Sequence, residues 1–476
     1  MTAEATRHST IAAVATAVAP AAGSVAIVRV SGPDAARIGR TLFRCPGQPC
    51  LESHRVLYGH VVDPHDRSRV DEALLLYMQG PRSFTGEDVV EFHCHGGLVC
   101  VQQVLELVLA EGASRAEPGG FSLRAFLNGR LDLTRAEAIA DLVAARSRRA
   151  ARMALDGVDG GLQQRIEALR QELLDQLAEL EARLDFEDDL PSLDGQQVLA
   201  ALARVDQGLE QLQQDARRGL LLRQGLKVAI VGLPNVGKSS LLNRLSRQER
   251  AIVTDLPGTT RDLLESELVI GGVPITLVDT AGIRETDDPV ERIGIDRSRM
   301  ALARADVIVQ LFDLTRGWQE GDEQLWRSCP QAVPLLRVGN KLDLRPDLDT
   351  AAGPGRQDQP GMTRDPQPQH GVRDADLLIS TQRDEDLSRL EQLLLNRCGA
   401  ACGEGVAASL NSRQLELARQ ARQALARVHD TAADALPWDF WTIDLREAVR
   451  ALGEITGAEI SEAVLDRIFS RFCIGK

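Results

Sequence analysis

Val228-Ala-Ile-Val-Gly-Leu-Pro-Asn-Val-Gly-Lys-Ser239 is the stretch that decides the fold. An apolar run gives way to a glycine-rich loop, and an apolar-periodic segment begins at Leu241. Strand, loop and helix in that order are what a phosphate-binding P-loop requires. The glycines let the backbone wrap an anion, and the amides opening the next helix face it. Asn235, Val236, Gly237, Lys238, Ser239 and Ser240 are therefore candidate phosphate contacts. Lys238 neutralises the outer phosphates in the reaction, and Ser239 offers its hydroxyl to Mg²⁺.

The base is read from Asn340-Lys341-Leu-Asp343. A carboxylate at Asp343 accepts both the ring NH and the exocyclic amine of guanine. Adenine presents another donor–acceptor pattern and leaves buried polar groups unpaired. The nucleotide is GTP, with GDP as product. Between these motifs lie Gly258-Thr-Thr260-Arg-Asp262 and Asp279-Thr280-Ala281-Gly282. Thr260 is expected to reach Mg²⁺, Asp279 to hold the metal through water, and Gly282 to give its amide to the γ-phosphate.

Many regulatory GTPases place a glutamine after that last glycine to orient the attacking water. Here the position is Ile283, which cannot polarise water. A nearby carboxylate acting through a water is the simplest replacement. Arg284, Glu285, Asp287, Asp288, Glu291 and Arg292 are the groups within reach, and spacing does not choose among them.

The chain has 476 residues, 43% of them hydrophobic, so two or three domains with real cores are expected. A net charge of −14 argues against loose binding to nucleic acid; RNA contact requires a local basic patch. Eight scattered cysteines without a CxxC pair read as reduced thiols in a cytoplasm. Residues 11–30 are apolar but contain Arg29, and they read as two strands around Pro20-Ala-Ala-Gly23, not as a membrane segment.

Residues 1–122 mix β-like runs (25–30, 73–78, 88–92) with one helical stretch, 98–109, which indicates an α/β domain. From 123 to 223 the period becomes helical, with Leu162, Ile166, Leu169, Leu173, Leu177, Leu180 and Leu184 on one face. A second helix is expected over 196–218, and the Pro-containing acidic block 185–191 separates the two. The GTPase domain occupies 224–398, and helical periodicity returns over 399–476. Neither helical flank makes a bundle alone, so one helical domain interrupted by the GTPase domain is the economical arrangement. Residues 345–375, rich in Pro, Gly and Gln, read as a flexible surface loop.

These features resemble the MnmE (TrmE) family, bacterial GTPases of tRNA uridine C5 modification. Outside the GTPase motifs the resemblance rests on Arg82-Ser-Phe-Thr-Gly-Glu-Asp88, Gly96-Gly97, Arg124-Ala-Phe-Leu-Asn128, Leu131-Asp-Leu-Thr-Arg-Ala-Glu-Ala-Ile139 and Phe472-Cys-Ile-Gly-Lys476. It implies a multidomain α/β plus all-α fold: a folate-binding-like N-terminal domain, a split helical domain and an inserted Ras-like P-loop domain. It also implies that two GTPase domains pair face to face with bound K⁺, held by Asn235, Thr254, Leu256 (through its carbonyl) and Thr259. Thr254 and Thr259 thereby join the GTP site, and Glu291 matches the catalytic carboxylate.

The N-terminal domain would hold a 5-formyltetrahydrofolate-type one-carbon carrier through Arg29, Glu91, Arg130 and Lys476. A carboxylate suits the pterin amino edge and cations suit the folate carboxylates. Position 130 usually carries Lys in the family, Gly120 stands where Glu is common, and Ser380-Thr381-Gln382 replaces the usual Ser-Ala-Lys. Cys473 is a candidate reactive thiol. Of His93-Cys94-His95, only the two histidines share a strand face, a poor basis for a metal site. The implied partners are a second copy of the chain, the MnmG (GidA) family protein carrying FAD and using NADH, and tRNA. The rival reading is a switch-type GTPase that assembles ribosomal or RNA complexes without transfer chemistry; folate binding separates the two.

Overall fold

A computed structural model describes residues 9–18, 23–47, 50–185, 195–248, 265–279, 302–349, 374–399 and 409–476. The chain divides into two units. Unit 1 comprises residues 1–140, 155–210 and 413–476; unit 2 comprises 141–154 and 211–412.

Unit 1 begins with the pair of strands expected within 11–30: β1 (Ile11–Val14) runs antiparallel to β2 (Val25–Ser31). Further strands are β3 (Phe43–Arg44), β4 (Arg55–Val62), β5 (Arg69–Met78), β6 (Val89–His95) and β7 (Ser114–Arg115). They form one sheet in the order β3-β4-β5-β6-β2-β1-β7, antiparallel except for β1 with β7. Alternation decides which side is dry. Ala26, Val28 and Val30 of β2 turn inward with Leu75 and Phe92. Helices Ala35–Leu42 and Leu98–Ala110 cover that face through Ile38, Leu42, Val101, Val104 and Val108. The opposite parity, Ile27 and Arg29 of β2 with Glu91 and His93 of β6, lies on the other face in direct cross-strand register.

The helical part of unit 1 follows the heptad-like leucines. Helix Gly161–Asp185 buries Leu162, Ile166, Leu173, Leu177 and Leu180 and packs along Trp438–Thr456. Arg446 reaches Glu181 at 2.7 Å, and Arg422 forks onto Asp206 at 2.7 and 2.9 Å. Leu133 and Ala136 close a smaller cluster with Leu465, Ile468, Phe469 and Phe472. Helix Gly120–Leu127 runs across the expected boundary at 122/123. The acidic block's residues 186–191 lie outside the described residues.

Unit 2 contains β8 (Leu226–Val231), β9 (Glu265–Ile270), β10 (Val273–Asp279), β11 (Val307–Asp313), β12 (Leu335–Asn340) and β13 (Leu377–Leu378). Their order is β13-β12-β11-β8-β10-β9, and all pairs are parallel except β10 with β9. The exception is a hairpin whose Gly271 and Gly272 have φ of 56° and 81°. Positive φ at both turn residues matches strand twist, and glycine adopts it without strain. β11 is buried along its whole length, as a central strand covered on both faces must be. Val228, Ile230, Leu241, Leu277, Val309, Val338 and Leu390 share the main core. Pro346–Asp349 forms a short helix within the expected loop 345–375, and residues 350–373 lie outside the described ones. No described helix is long and apolar enough to cross a membrane.

Candidate nucleotide and folate sites

In a parallel sheet, ligands bind outside the carboxyl ends of the strands. Four sequence motifs of unit 2 sit there: the P-loop after β8, Asp279 at the end of β10, Asn340 at the end of β12 and Ser380 after β13. Asp279 is paired in register with Ile230, so its backbone lies beside the strand that feeds the P-loop.

The loop's shape follows from two backbone positions. Asn235 has φ of 65°, and Gly237 has φ of 103°. A β-carbon at Gly237 would lie 2.2 Å from Asn340 Nδ2, so only glycine fits. Asn340 is 1% exposed, and its Nδ2 donates to the Val236 carbonyl at 2.8 Å. Its Oδ1 accepts from Thr381 N at 3.2 Å. One buried amide therefore joins the phosphate loop, the base motif and the loop after β13. Lys238 Nζ donates to the carbonyls of Gly232 and Leu233 at 2.8 and 3.0 Å, which keeps the ammonium over the loop. Ser239 and Ser240 are exposed at the start of helix Lys238–Gln248. An open hydroxyl beside an anion cradle suits a hard divalent cation such as Mg²⁺.

Asp343 is exposed, and one of its oxygens accepts from Ser380 Oγ at 2.6 Å. Ser380 Oγ in turn accepts from Gln382 N at 3.2 Å, which fixes the direction of its proton. Lys341, with φ of 68°, sends its ammonium to Asp313 Oδ2 at 2.6 Å. Burial alone would raise the Asp313 carboxyl. Hydrogen bonds from Lys341 and Thr315, with the Lys341 charge, overcome that and hold it below the usual carboxylate range. Asp313 was not among the residues singled out from sequence; its position at the end of a strand that is apolar apart from Gln310 was the available signal.

In unit 1, Arg29 Nε meets Glu91 Oε1 at 2.8 Å, and His93 Nε2 lies 3.2 Å from Glu91 Oε2. Burial works to raise the Glu91 carboxyl, but His93 and Arg29 more than offset it and leave it below its ordinary value. Arg29 Nη1 donates to the Gly475 carbonyl at 3.2 Å. Gly475, with φ of 92°, must lack a side chain because a β-carbon would lie 2.7 Å from Ala15 Cα. This brings Lys476 close to Arg29: burial and that neighbouring charge push the ammonium below its usual range. Arg130 is exposed, with Nε 3.4 Å from the Ser83 carbonyl. Cys473 is exposed, and its carbonyl accepts from Gly119 N at 3.4 Å. His95 Nδ1 pairs with Asp71 at 2.7 Å, and Cys94 is buried on the opposite strand face. Among the described residues no group of three or more His, Cys, Asp or Glu is disposed to hold a metal.

Two family models match the chain: the MnmE helical domain over residues 133–473, and the GTP-binding protein TrmE N-terminus over residues 10–130. The chain belongs to the MnmE family. A tRNA modification GTPase MnmE from Synechococcus sp. (strain RCC307) is 62% identical over 473 residues, 99% of each chain. Its counterpart from Prochlorococcus marinus (strain MIT 9303) is 60% identical over 470 residues, 98% of each chain. Like the rest of the MnmE family the protein is a GTPase, a hydrolase acting on GTP. For this MnmE-family chain, Thr254, Leu256, Thr259, Thr260, Thr280, Ala281, Gly282 and Glu291 lie outside the described residues, as does the Asp279 side chain.

Proposed function

We propose that this GTPase acts in tRNA wobble-uridine C5 (carboxymethyl)aminomethyl modification in the cytoplasm. The match of both family models along one chain carries the reading, because it joins a GTPase to the TrmE N-terminal module. In this reading the segments 123–223 and 399–476 form one helical domain interrupted by the GTPase segment 224–398, behind an N-terminal domain 1–122.

Asn235, Val236, Gly237, Lys238, Ser239 and Ser240 bind the phosphates with Thr280, Ala281 and Gly282; Asn340, Lys341 and Asp343 bind guanine. Ser239 and Thr260 hold Mg²⁺, with Asp279 reaching it through water. Asn235, Thr254, the Leu256 carbonyl and Thr259 hold K⁺ when two GTPase domains pair. The exposed, left-handed Asn235 supports this, since its side chain leaves the loop's rim toward solvent. Such a cation offsets charge that develops on phosphoryl transfer. Glu291 orients the attacking water in place of the glutamine that Ile283 displaces.

Arg29, Glu91, Arg130 and Lys476 bind the one-carbon folate, supported by the shared strand face of Arg29 and Glu91 and the nearness of Lys476. A homodimer is supported by exposed apolar residues of that same sheet, Val25, Val56, Tyr58 and Leu74. No dinucleotide-binding fingerprint is evident in the sequence, so reduction falls to an FAD-dependent MnmG-type partner using NADH.

The test is mass spectrometry of tRNA nucleosides from cells whose own copy is replaced. The wild-type chain restores the modified uridines. Glu291→Gln leaves them missing and lowers GTP turnover about 10²–10⁴-fold, with GTP affinity retained. Normal modification in cells lacking the gene altogether contradicts the proposed role.

A further inference from the structure

The Arg29 guanidinium lies against two rings, 5.8 Å from the centre of Phe84 and 5.6 Å from that of Phe121. Phe84 belongs to the connection between β5 and β6, and Phe121 to helix Gly120–Leu127. Three residues beyond each ring stands one member of an ion pair: Glu87 after Phe84, Arg124 after Phe121. Arg124 is 1% exposed. Its Nη1 donates to both Glu87 oxygens, at 3.2 and 3.0 Å, and its Nη2 donates to Ser9 Oγ at 3.2 Å. Glu87 Oε2 also accepts from Ser31 Oγ at 2.7 Å, and the Ser31 hydroxyl meets that of Thr85 at 2.8 Å. Ser31 ends β2, the strand that carries Arg29. Asn128 Nδ2, just past the helix, donates to the Thr85 carbonyl at 2.8 Å. One buried network thus ties together the three elements that supply Arg29 and its two rings.

We propose that Glu87 and Arg124 are a positioning pair: they set the two rings against Arg29 and so aim its guanidinium at the anionic end of the ligand. This deepens the assignment of a one-carbon folate to the Arg29–Glu91 site and rests on it. Neither residue touches that site's ligand; each acts through the ring three positions earlier. An arginine side chain has many rotamers, and holding one of them before the ligand arrives removes that ordering cost from binding. An apolar contact would hold the loop as tightly but would leave its register less defined, whereas a buried charge pair whose Nη1 is shared between both carboxylate oxygens, with Nη2 on Ser9 and Ser31 on the same carboxylate, accepts few geometries.

The test uses the full chain, 5-formyltetrahydrofolate as the probe, and two variants. Glu87→Gln keeps the shape and the acceptor for Ser31 but removes the charge. The double variant Glu87→Met/Arg124→Met removes both charges and fills the space, which guards against an unpaired buried guanidinium that stops folding. Calorimetry is expected to show affinity lowered about tenfold or more in both, a difference of about 1.4 kcal/mol per decade. Hydrogen exchange without ligand is expected to speed up in residues 82–88 and to stay unchanged in β2. Affinity equal to wild type in the folded double variant overturns the proposal. If the wild-type chain itself binds no folate, the ligand assignment falls, and exchange alone decides. Faster exchange at 82–88 in both variants sustains the pair's positioning of the loop, and unchanged exchange overturns it.

Discussion

Gly237→Ala is expected to lower GTP affinity about 30-fold or more while the protein stays folded. Two effects add. The new methyl meets Asn340 Nδ2 at 2.2 Å, so the amide must leave the Val236 carbonyl. A buried donor or acceptor left unmatched costs about 1–3 kcal/mol. The residue must also hold a backbone with φ of 103°, where an L side chain is strained by about 1–3 kcal/mol. Together, about 2–6 kcal/mol falls on the loop that wraps the phosphates, and each 1.4 kcal/mol is a decade. Titration with a fluorescent GTP analogue checks this, with circular dichroism as the folding control. Affinity within a few-fold of wild type would mean that Asn340 does not join the two motifs.

Asp343→Asn is expected to weaken GTP about 10²–10⁴-fold and to bind xanthosine triphosphate better than GTP. In the proposed base site the carboxylate accepts two guanine N–H groups, each charge-assisted bond being worth about 1.5–3 kcal/mol. Ser380 decides how the replacement amide sits. Its hydroxyl proton points at position 343, since its own oxygen is occupied by the Gln382 amide. The asparagine oxygen therefore stays on Ser380, and its NH₂ faces the base. There it opposes the guanine amine, whereas xanthine offers an oxygen at that position. Competition binding with the two triphosphates measures the preference, and a variant that still prefers GTP contradicts the base site as drawn.

Much of this was legible because it is local. The P-loop needs glycines and a strand–helix change within a dozen residues, and Asn340-Lys341-Leu-Asp343 closes a strand of the same sheet. Arg29 and Glu91 were assigned to one site from family resemblance, and the antiparallel register of β2 with β6 sets them side by side. The contacts that escaped the sequence join distant segments. Asp313 holds Lys341 from 28 positions away, and Arg124 holds Glu87 from 37. A buried arginine has the same one-letter signature as a surface one, and only packing distinguishes them. The β9–β10 hairpin was likewise missed: Gly271-Gly272 announces a turn, but the strand before it follows a stretch whose residues read as switch motif.

The central claim is that two GTPase domains pair around K⁺ and hydrolyse GTP without the usual glutamine. GTP turnover by the purified full chain with Mg²⁺, in KCl and in NaCl at equal ionic strength, tests it most directly. The account predicts turnover at least about tenfold faster in KCl, as expected when charge developing in the transition state is stabilised, with the preference lost in Asn235→Ala. Equal slow turnover in both salts, unchanged by Asn235→Ala, would contradict it and leave a switch that depends on an outside activator.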